Sequence, residues 1–182
     1  MTEAWTVLRL LQWTADYFRQ KGIEGGRRDA ELLLCDLLGL DRVGLYLNFD
    51  RPLQAAELAD FRGRVARRAR REPLQYILGR TEFWSLPLQV TPAVLIPRPD
   101  TETLVEEALK RVAPDAAILD VGTGSGAIAV ALAHALPAAT VTAVDLSAEA
   151  LAVAAVNARA NGVEGRLRLL QADLAALPSG PY

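Results

Sequence analysis

Apolar residues follow two different periods along this chain. In the first part they recur every three to four positions, which predicts amphipathic helices over residues 4–20, 28–38, 42–47 and 52–71, the last with Pro52 in its first turn. Glycines at positions 22 and 39 fit the ends of the first two helices. Together these segments predict a small helical bundle.

The pattern changes after residue 72. Residues 83–90 are rich in aromatic and aliphatic residues and predict a short β-hairpin with Leu86 and Pro87 near its turn. Three prolines within residues 92–99 predict an extended segment, because proline lacks the amide hydrogen that a helix needs. A further helix is predicted over residues 101–112.

The stretch from residue 116 to residue 145 has the outline of a strand, a tight turn, a helix and a second strand. An apolar run ends in Asp120, a glycine-dense turn and an alanine-rich run follow, and a second apolar run ends in Asp145. This order predicts a right-handed βαβ unit with a ligand crevice at the carboxyl ends of its strands. A helix capped by Ser147 and a third strand over residues 166–171 continue the pattern.

The turn holds Gly122, Gly124 and Gly126, which permit positive φ and let a ligand approach the backbone closely. A P-loop would require a Gly-Lys-Ser/Thr sequence and a dinucleotide fingerprint would read G-x-G-x-x-G, and the turn has neither. Asp120 disfavours a pyrophosphate and favours a cationic or zwitterionic ligand, such as the sulfonium and amino-acid end of S-adenosylmethionine. Asp145 is placed to accept hydrogen bonds from a ribose diol.

Composition and charge indicate a soluble globular protein with two unlike halves. Of the 182 residues, 51% are hydrophobic and 23% are charged, which allows a sizeable core. Residues 1–80 contain 14 basic and 11 acidic residues, whereas residues 81–182 contain 6 and 11. We expect a helical domain over residues 1–78, a hairpin and proline-rich linker over 79–99, and an α/β domain from 100 to 182.

Several kinds of site are disfavoured by the residue counts. The single cysteine, Cys35, excludes an internal disulfide or a cysteine-based metal cluster, and its apolar surroundings predict a buried, inert thiol. His134 has no second histidine with which to share a metal, so no metal site is expected. No signal peptide or membrane span is evident, which indicates a cytoplasmic protein.

Six arginines mark the fourth predicted helix: Arg62, Arg64, Arg67, Arg68, Arg70 and Arg71. Clustered arginines suit phosphate and carboxylate groups, so they could form a face for RNA or an acidic partner. The alternative is an ordinary solvated helix face, which the mild basic charge and the lack of interleaved aromatic residues favour.

Five motifs carry a likeness to a known family. They are Arg71-Glu72-Pro73-Leu74-Gln75-Tyr76-Ile77-Leu78-Gly79, Phe83-Trp84, Val90-Thr91-Pro92, Leu95-Ile96-Pro97-Arg98-Pro99-Asp100-Thr101-Glu102 and Asp120-Val121-Gly122-Thr123-Gly124-Ser125-Gly126. The chain resembles the HemK/PrmC family of release-factor glutamine methyltransferases. The resemblance implies a Rossmann-like class I domain that uses S-adenosylmethionine. It also implies methyl transfer to the side-chain amide nitrogen of the glutamine in the Gly-Gly-Gln motif of peptide chain release factors.

The resemblance assigns roles to individual residues. The residues implied at the methionine end of the cofactor are Asp120, Gly122, Thr123, Gly124, Ser125 and Gly126. Asp145 would hold the ribose, and Leu174 stands where an aromatic residue often lies near the adenine. The residues implied beside the substrate are Pro97, Arg98 and Pro99.

One family feature is absent from the sequence. The catalytic Asn-Pro-Pro-Tyr signature would follow a fourth strand, and Ser179-Gly180-Pro181-Tyr182 lacks both the asparagine and the preceding apolar strand. No catalytic residue is therefore assigned, and the sequence is expected to be the N-terminal portion of a longer protein. Residues 1–182 alone are expected to be inactive and poorly soluble, because the first strand would keep an unpaired edge.

Three alternatives stay open from the sequence. One is a related methyltransferase that acts on a ribosomal protein or on a nucleic-acid amino group; the others are a dinucleotide-dependent oxidoreductase and a non-enzymatic adaptor. The helical domain looks like a protein-docking module without strong positive charge. A monomer that acts on release factors, without sequence-specific nucleic-acid binding, is therefore the expectation.

Overall fold

A computed structural model describes residues 4–173, and the chain divides into two compact units, residues 1–78 and 79–182. The first unit is helical. The second holds a two-stranded antiparallel hairpin and a three-stranded parallel sheet with its helices. The predicted fold class, a helical bundle, a hairpin and a Rossmann-like α/β domain, is confirmed.

The described part of the first unit contains the helices α1 (Val7–Gln20), α2 (Gly26–Leu38), α3 (Arg42–Leu47), α4 (Ala55–Ala69) and α5 (Leu74–Leu78). The first three fall where apolar spacing predicts them, and Gly39 ends α2 in the left-handed conformation. Their apolar faces enclose one core, with Phe18, Leu33, Leu34 and Phe61 fully buried. The short helix α5 was not predicted.

The predicted start of the fourth helix at Pro52 was wrong. Pro52 lies in an antiparallel bridge with Thr6, and the Leu53 N–H donates to the Trp5 carbonyl at 2.9 Å. The chain before α4 is therefore bound to the chain before α1. The helix begins only at a capping box, in which the backbone N–H of Gln54 donates to the Glu57 carboxylate at 2.8 Å.

The arginines of α4 serve mainly the unit itself. Three of them bind carboxylates: Arg64 binds Asp36 and Asp60, Arg67 binds Glu72, and Arg68 binds Asp29. Arg71 donates to the Lys21 carbonyl at 3.1 Å. Most of the cluster thus joins α4 to α2 and to neighbouring turns, a role that neither sequence-based alternative anticipated. Arg62 and Arg70 are exposed.

Glu31 of α2 is a buried carboxylate that joins two helices. It accepts hydrogen bonds from Arg27 Nε at 3.2 Å, Arg42 Nη2 at 3.0 Å and the Tyr46 hydroxyl at 2.9 Å. Burial acts to raise the pKa of Glu31, but the bonds from Tyr46 and Arg27 and the charge of Arg42 outweigh it. The pKa of Glu31 therefore lies below its ordinary value, and the ionised form is favoured in the fold.

The second unit is built on a parallel sheet. Its described elements are β1 (Arg80–Phe83), β2 (Leu86–Gln89), α6 (Glu102–Leu109), β3 (Ala117–Val121), α7 (Ala127–Ala135), β4 (Thr140–Asp145), α8 (Ala148–Ala160) and β5 (Leu167–Gln171). The strand order is β3-β4-β5, with Val121 beside Val144 and Asp145 beside Gln171. Because the strands are parallel, their carboxyl ends lie side by side at the same end of the sheet. Within residues 4–173, β3 pairs only with β4 and is an edge strand.

The predicted hairpin is present, and Leu86 and Pro87 directly follow its turn. Trp84 and Ser85 form the turn, with φ of +55° and +57°, and Pro87 lies inside β2 opposite Glu82. A two-residue hairpin turn needs positive φ, which glycine or asparagine usually provides. Here the Trp84 N–H donates to the Glu102 carboxylate at 2.7 Å, and the indole packs against the core of the unit. These contacts stabilise an otherwise unfavourable conformation.

The cysteine and the histidine have ordinary surroundings. Cys35 is buried in the core of the first unit, as predicted, and burial and then the charge of Glu31 raise the pKa of its thiol. His134 is exposed near the end of α7. None of the helices in residues 4–173 combines the length and the apolarity that crossing a membrane requires.

Replacing Glu31 is expected to make the stability of the first unit less dependent on pH. A lowered pKa means that the carboxylate stabilises the fold above its unfolded pKa, and that this contribution is lost as pH falls through the folded pKa. Glu31→Gln should lower the free energy of unfolding at neutral pH by about 2 kcal/mol.

Urea unfolding at several values between about pH 7 and pH 3 measures the effect. The gap between wild type and variant should narrow as the pH falls. Glu24→Gln, in the exposed turn before α2, is the control and should change little. A gap that stays constant over the whole range contradicts the role given to Glu31.

Candidate cofactor site

The turn between β3 and α7 has the backbone conformation that its glycines predict. Gly122, Gly124 and Gly126 have φ of +76°, +55° and +78°. A side chain at any of these positions would be strained. The turn therefore presents bare backbone at the carboxyl end of β3.

The three glycines differ in what surrounds them. A Cβ added at Gly122 or Gly124 would meet no atom within 4 Å, so the space beside them is open. A Cβ at Gly126 would lie 3.0 Å from the Cβ and 3.3 Å from the Cα of Ala154 in α8. The first two glycines can thus admit a ligand, whereas the third lets the turn pack closely on α8.

Neighbouring elements hold the turn in place. The carbonyl of Val144 at the end of β4 accepts the N–H groups of Gly122 at 2.8 Å and Thr123 at 3.0 Å. The N–H of Gly124 donates to Asp145 Oδ2 at 2.9 Å. The turn is therefore bound directly to the carboxyl end of the adjacent strand.

Asp120 lies half-buried near the end of β3, and its Oδ2 accepts the Thr123 hydroxyl at 2.7 Å. Burial raises the pKa of Asp120; hydrogen bonds from Thr123 and the Ala129 amide oppose the rise, and the charge of Asp145 adds to it. The net pKa is above its ordinary value. A half-buried acid with a raised pKa beside open backbone is a candidate for a functional site.

Asp145 has a structural task that the sequence did not reveal. One carboxylate oxygen accepts the Gly124 N–H and the other accepts the Ser147 N–H, both at 2.9 Å. Each oxygen keeps a second lone pair, so the carboxylate can still accept hydrogen bonds from hydroxyl groups. Asp145 therefore shapes the turn and can also bind a diol.

The positions of the other predicted site residues do not by themselves indicate a ligand. Thr123 and Ser125 are buried. Pro97 is half-buried, Arg98 and Pro99 are exposed, and the Arg98 carbonyl accepts the Thr101 N–H at 3.0 Å in a 3-10 turn before α6. The proposed place of Pro97, Arg98 and Pro99 beside a substrate stays a prediction. Leu174 and residues 179–182 lie outside the described residues.

Asn157 of α8 is a residue that the sequence reasoning missed. It is fully buried and makes three hydrogen bonds, two to Gln89 of β2 and one to the Ser125 carbonyl in the turn. The signal was available: Asn157 is a polar residue on the buried face of a helix made largely of alanine, leucine and valine. A buried amide in such a place usually has specific partners.

Comparisons with known proteins agree with this architecture. Residues 9–79 match the PrmC N-terminal domain, and residues 118–181 match a methyltransferase domain. The release factor glutamine methyltransferase of Geobacter sulfurreducens is 56% identical over 172 residues, which are 94% of this chain and 60% of that protein. The chain thus combines a PrmC N-terminal domain with a methyltransferase domain.

Another relative shows the same coverage. The release factor glutamine methyltransferase of Rhodopirellula baltica is 46% identical over 93% of the chain and 60% of its own length. The chain thus spans about three fifths of the curated relatives that it matches. A solved SAM-dependent methyltransferase from Geobacter sulfurreducens, in complex with S-adenosyl-L-homocysteine, is 29% identical with a TM-score of 0.39 over 45% of this chain and 32% of that one.

Two glycine substitutions should separate packing from ligand access. Gly126→Ala is expected to lower the free energy of unfolding more than Gly124→Ala does. Both carry the strain of positive φ, about 1–3 kcal/mol, but only the methyl group at position 126 meets the helix, adding about 1–3 kcal/mol. Urea unfolding of both variants measures the difference, and equal destabilisation would contradict the packing role of Gly126.

Proposed function

We propose that the protein containing this chain is an S-adenosylmethionine-dependent methyltransferase. Its proposed substrate is the glutamine of the Gly-Gly-Gln motif in peptide chain release factors, methylated on the side-chain amide nitrogen. The observation that carries the cofactor is the open backbone at Gly122 and Gly124 between two carboxylates. The names of the relatives support the substrate.

The residues of the crevice fit this cofactor. Asp120 offers an ionised oxygen to its positively charged end, Gly122 and Gly124 admit it against bare backbone, and Asp145 accepts the ribose hydroxyls. Thr123 and Ser125 are buried residues of the turn, and Gly126 packs on α8. The cofactor supplies a methyl group on a positively charged sulfur atom. The chain's own task is to fix its position and to exclude groups such as phosphate.

The substrate side follows from the chemistry of an amide. An amide nitrogen is a poor nucleophile because its lone pair is delocalised, so most of the rate must come from orientation and electrostatics in a closed site. We assign Pro97, Arg98 and Pro99 to the lining of that site. The helical unit is assigned to docking of the release factor, by a monomeric enzyme in the cytoplasm without sequence-specific nucleic-acid binding.

The self-contained arginine network supports a protein substrate. Arg64, Arg67 and Arg68 are engaged by carboxylates of their own unit, which leaves little of the cluster for a phosphate backbone. A related methyltransferase that acts on a ribosomal protein or a nucleic-acid amino group is the alternative, and the assay below includes both.

Transfer of labelled methyl groups by the protein at its natural length tests the proposal. Label should enter a peptide chain release factor and be lost when its Gly-Gly-Gln glutamine is replaced by alanine. Ribosomal proteins and RNA should stay unlabelled. Label in either of these, with none in the release factor, rejects the proposed substrate but keeps the methyltransferase; no binding of S-adenosylmethionine rejects both.

Asp120→Asn should separate cofactor binding from stability. The amide keeps an oxygen for the Thr123 hydroxyl but loses the charge, so affinity for S-adenosylmethionine should fall about tenfold. The melting temperature should stay equal or rise, because the ionised carboxylate is disfavoured by burial. Calorimetric titration and thermal unfolding measure the two quantities.

The pH dependence gives the same test a second readout. Wild-type affinity should decrease as the pH is lowered through the raised pKa of Asp120, because the neutral carboxyl no longer attracts a cation. Affinity of the Asp120→Asn variant should be flat over this range. Asp115→Asn, an exposed carboxylate of the same unit, is the matched control and should behave as wild type.

A further inference from the structure

Asn157 uses its whole side-chain amide to join two separate elements. Its Oδ1 accepts the Gln89 N–H at 2.6 Å. Its Nδ2 donates to the Gln89 carbonyl at 3.0 Å and to the Ser125 carbonyl at 2.8 Å. An amide has two N–H donors and a carbonyl acceptor, so both donors and the acceptor are engaged.

The contact with β2 replaces a missing strand. In a strand, the backbone N–H and C=O groups of successive residues point to opposite sides. The Val90 N–H points towards the chain that leads into β1 and donates to the Gly79 carbonyl at 3.0 Å. The N–H and C=O of Gln89 therefore point away from β1, and Asn157 binds both of them. It completes the edge of the hairpin as a neighbouring strand would.

The contact with the turn adds a hydrogen bond to a glycine-rich segment. Gly122, Gly124 and Gly126 have no side chains with which to stabilise the turn, and glycine loses the most conformational freedom on ordering. Helix α8 approaches the turn twice, through Ala154 against Gly126 and through Asn157 at Ser125. The contact with Ala154 leaves no room for a side chain at position 126, and the hydrogen bond from Asn157 fixes the direction of the Ser125 carbonyl.

We propose that Asn157 is a positioning residue that holds the glycine turn and the β-hairpin in a fixed relation, so that cofactor affinity depends on it. This inference rests on the proposed cofactor site. The hairpin continues through the buried Val90 and Val94 into Pro97 and the residues assigned to the substrate side. Asn157 thus connects the cofactor turn with the strand that leads to the substrate segment.

Asn161 provides a matched control on the same helix. Its Nδ2 donates to the Pro87 carbonyl of β2 at 3.0 Å and to the Asn157 carbonyl at 2.9 Å. Asn161 thus anchors the hairpin through a side-chain amide, and within residues 4–173 its side chain makes no hydrogen bond to the glycine turn. Asn161→Ala therefore reports the cost of loosening the hairpin and the end of α8 without removing a bond to the turn.

Hydrogen–deuterium exchange of the protein at its natural length, without cofactor, tests the connection directly. In Asn157→Ala, exchange should increase about tenfold both at residues 86–90 and at residues 122–127. In Asn161→Ala the increase should be confined to residues 86–90. An unchanged rate at residues 122–127 in Asn157→Ala overturns the proposal. Asn157→Ser, which adds no charge and keeps a hydroxyl group, replaces the alanine variant if the latter does not fold.

Calorimetric titration with S-adenosylhomocysteine tests the consequence for binding. The dissociation constant should rise about tenfold in Asn157→Ala and stay within about twofold of wild type in Asn161→Ala. Equal dissociation constants in the two variants reject the positioning role. Failure of the wild type to bind rejects the proposed function instead, while the exchange comparison still decides whether Asn157 joins turn and hairpin.

Discussion

The second unit depends on a glycine turn that hydrogen bonds from neighbouring elements hold in place. Gly122 and Gly124 must lack side chains so that a ligand can reach the backbone, and for that reason only their backbone groups can help to hold the turn. The missing support comes from outside: the Val144 carbonyl and Asp145 at the end of β4, and Asn157 on α8. The turn is thus in direct contact with β4 and α8, and it is linked to the hairpin through Asn157.

The charged groups of the two units are arranged for different purposes. In the first unit, buried Glu31 and the arginines of α4 are matched with opposite charges, so the network stabilises the bundle. In the second unit, Asp120 and Asp145 lie close enough for the charge of one to raise the pKa of the other. Within residues 4–173 the two acids accept hydrogen bonds but form no ion pair, and such a pair beside open backbone fits the cationic ligand proposed for this site.

Local sequence signals predicted the βαβ core well. Runs of apolar residues, the glycine turn and the Ser147 cap depend on neighbours in the chain, and the structure has β3, α7, β4 and α8 where these signals place them. The first three helices were predicted for the same reason. The likeness of motifs such as Ile96-Pro97-Arg98-Pro99 supplied the family, which no periodicity could have identified.

What the sequence did not predict depends on residues far apart in the chain. The turn at Trp84 and Ser85 follows from a bond to Glu102, and the late start of α4 follows from the bridge between Pro52 and Thr6. Asn157 lies 68 residues from its hairpin partner, Gln89. Such contacts set the geometry of the site and leave no local pattern to read.

A crystal structure of the natural-length protein with S-adenosylhomocysteine would test the central claim most directly. The homocysteine portion should lie against the backbone of Gly122 and Gly124, with its amino group at Asp120 and the ribose hydroxyls at Asp145. A ligand bound elsewhere, or a phosphate seated on the glycine turn, would contradict it.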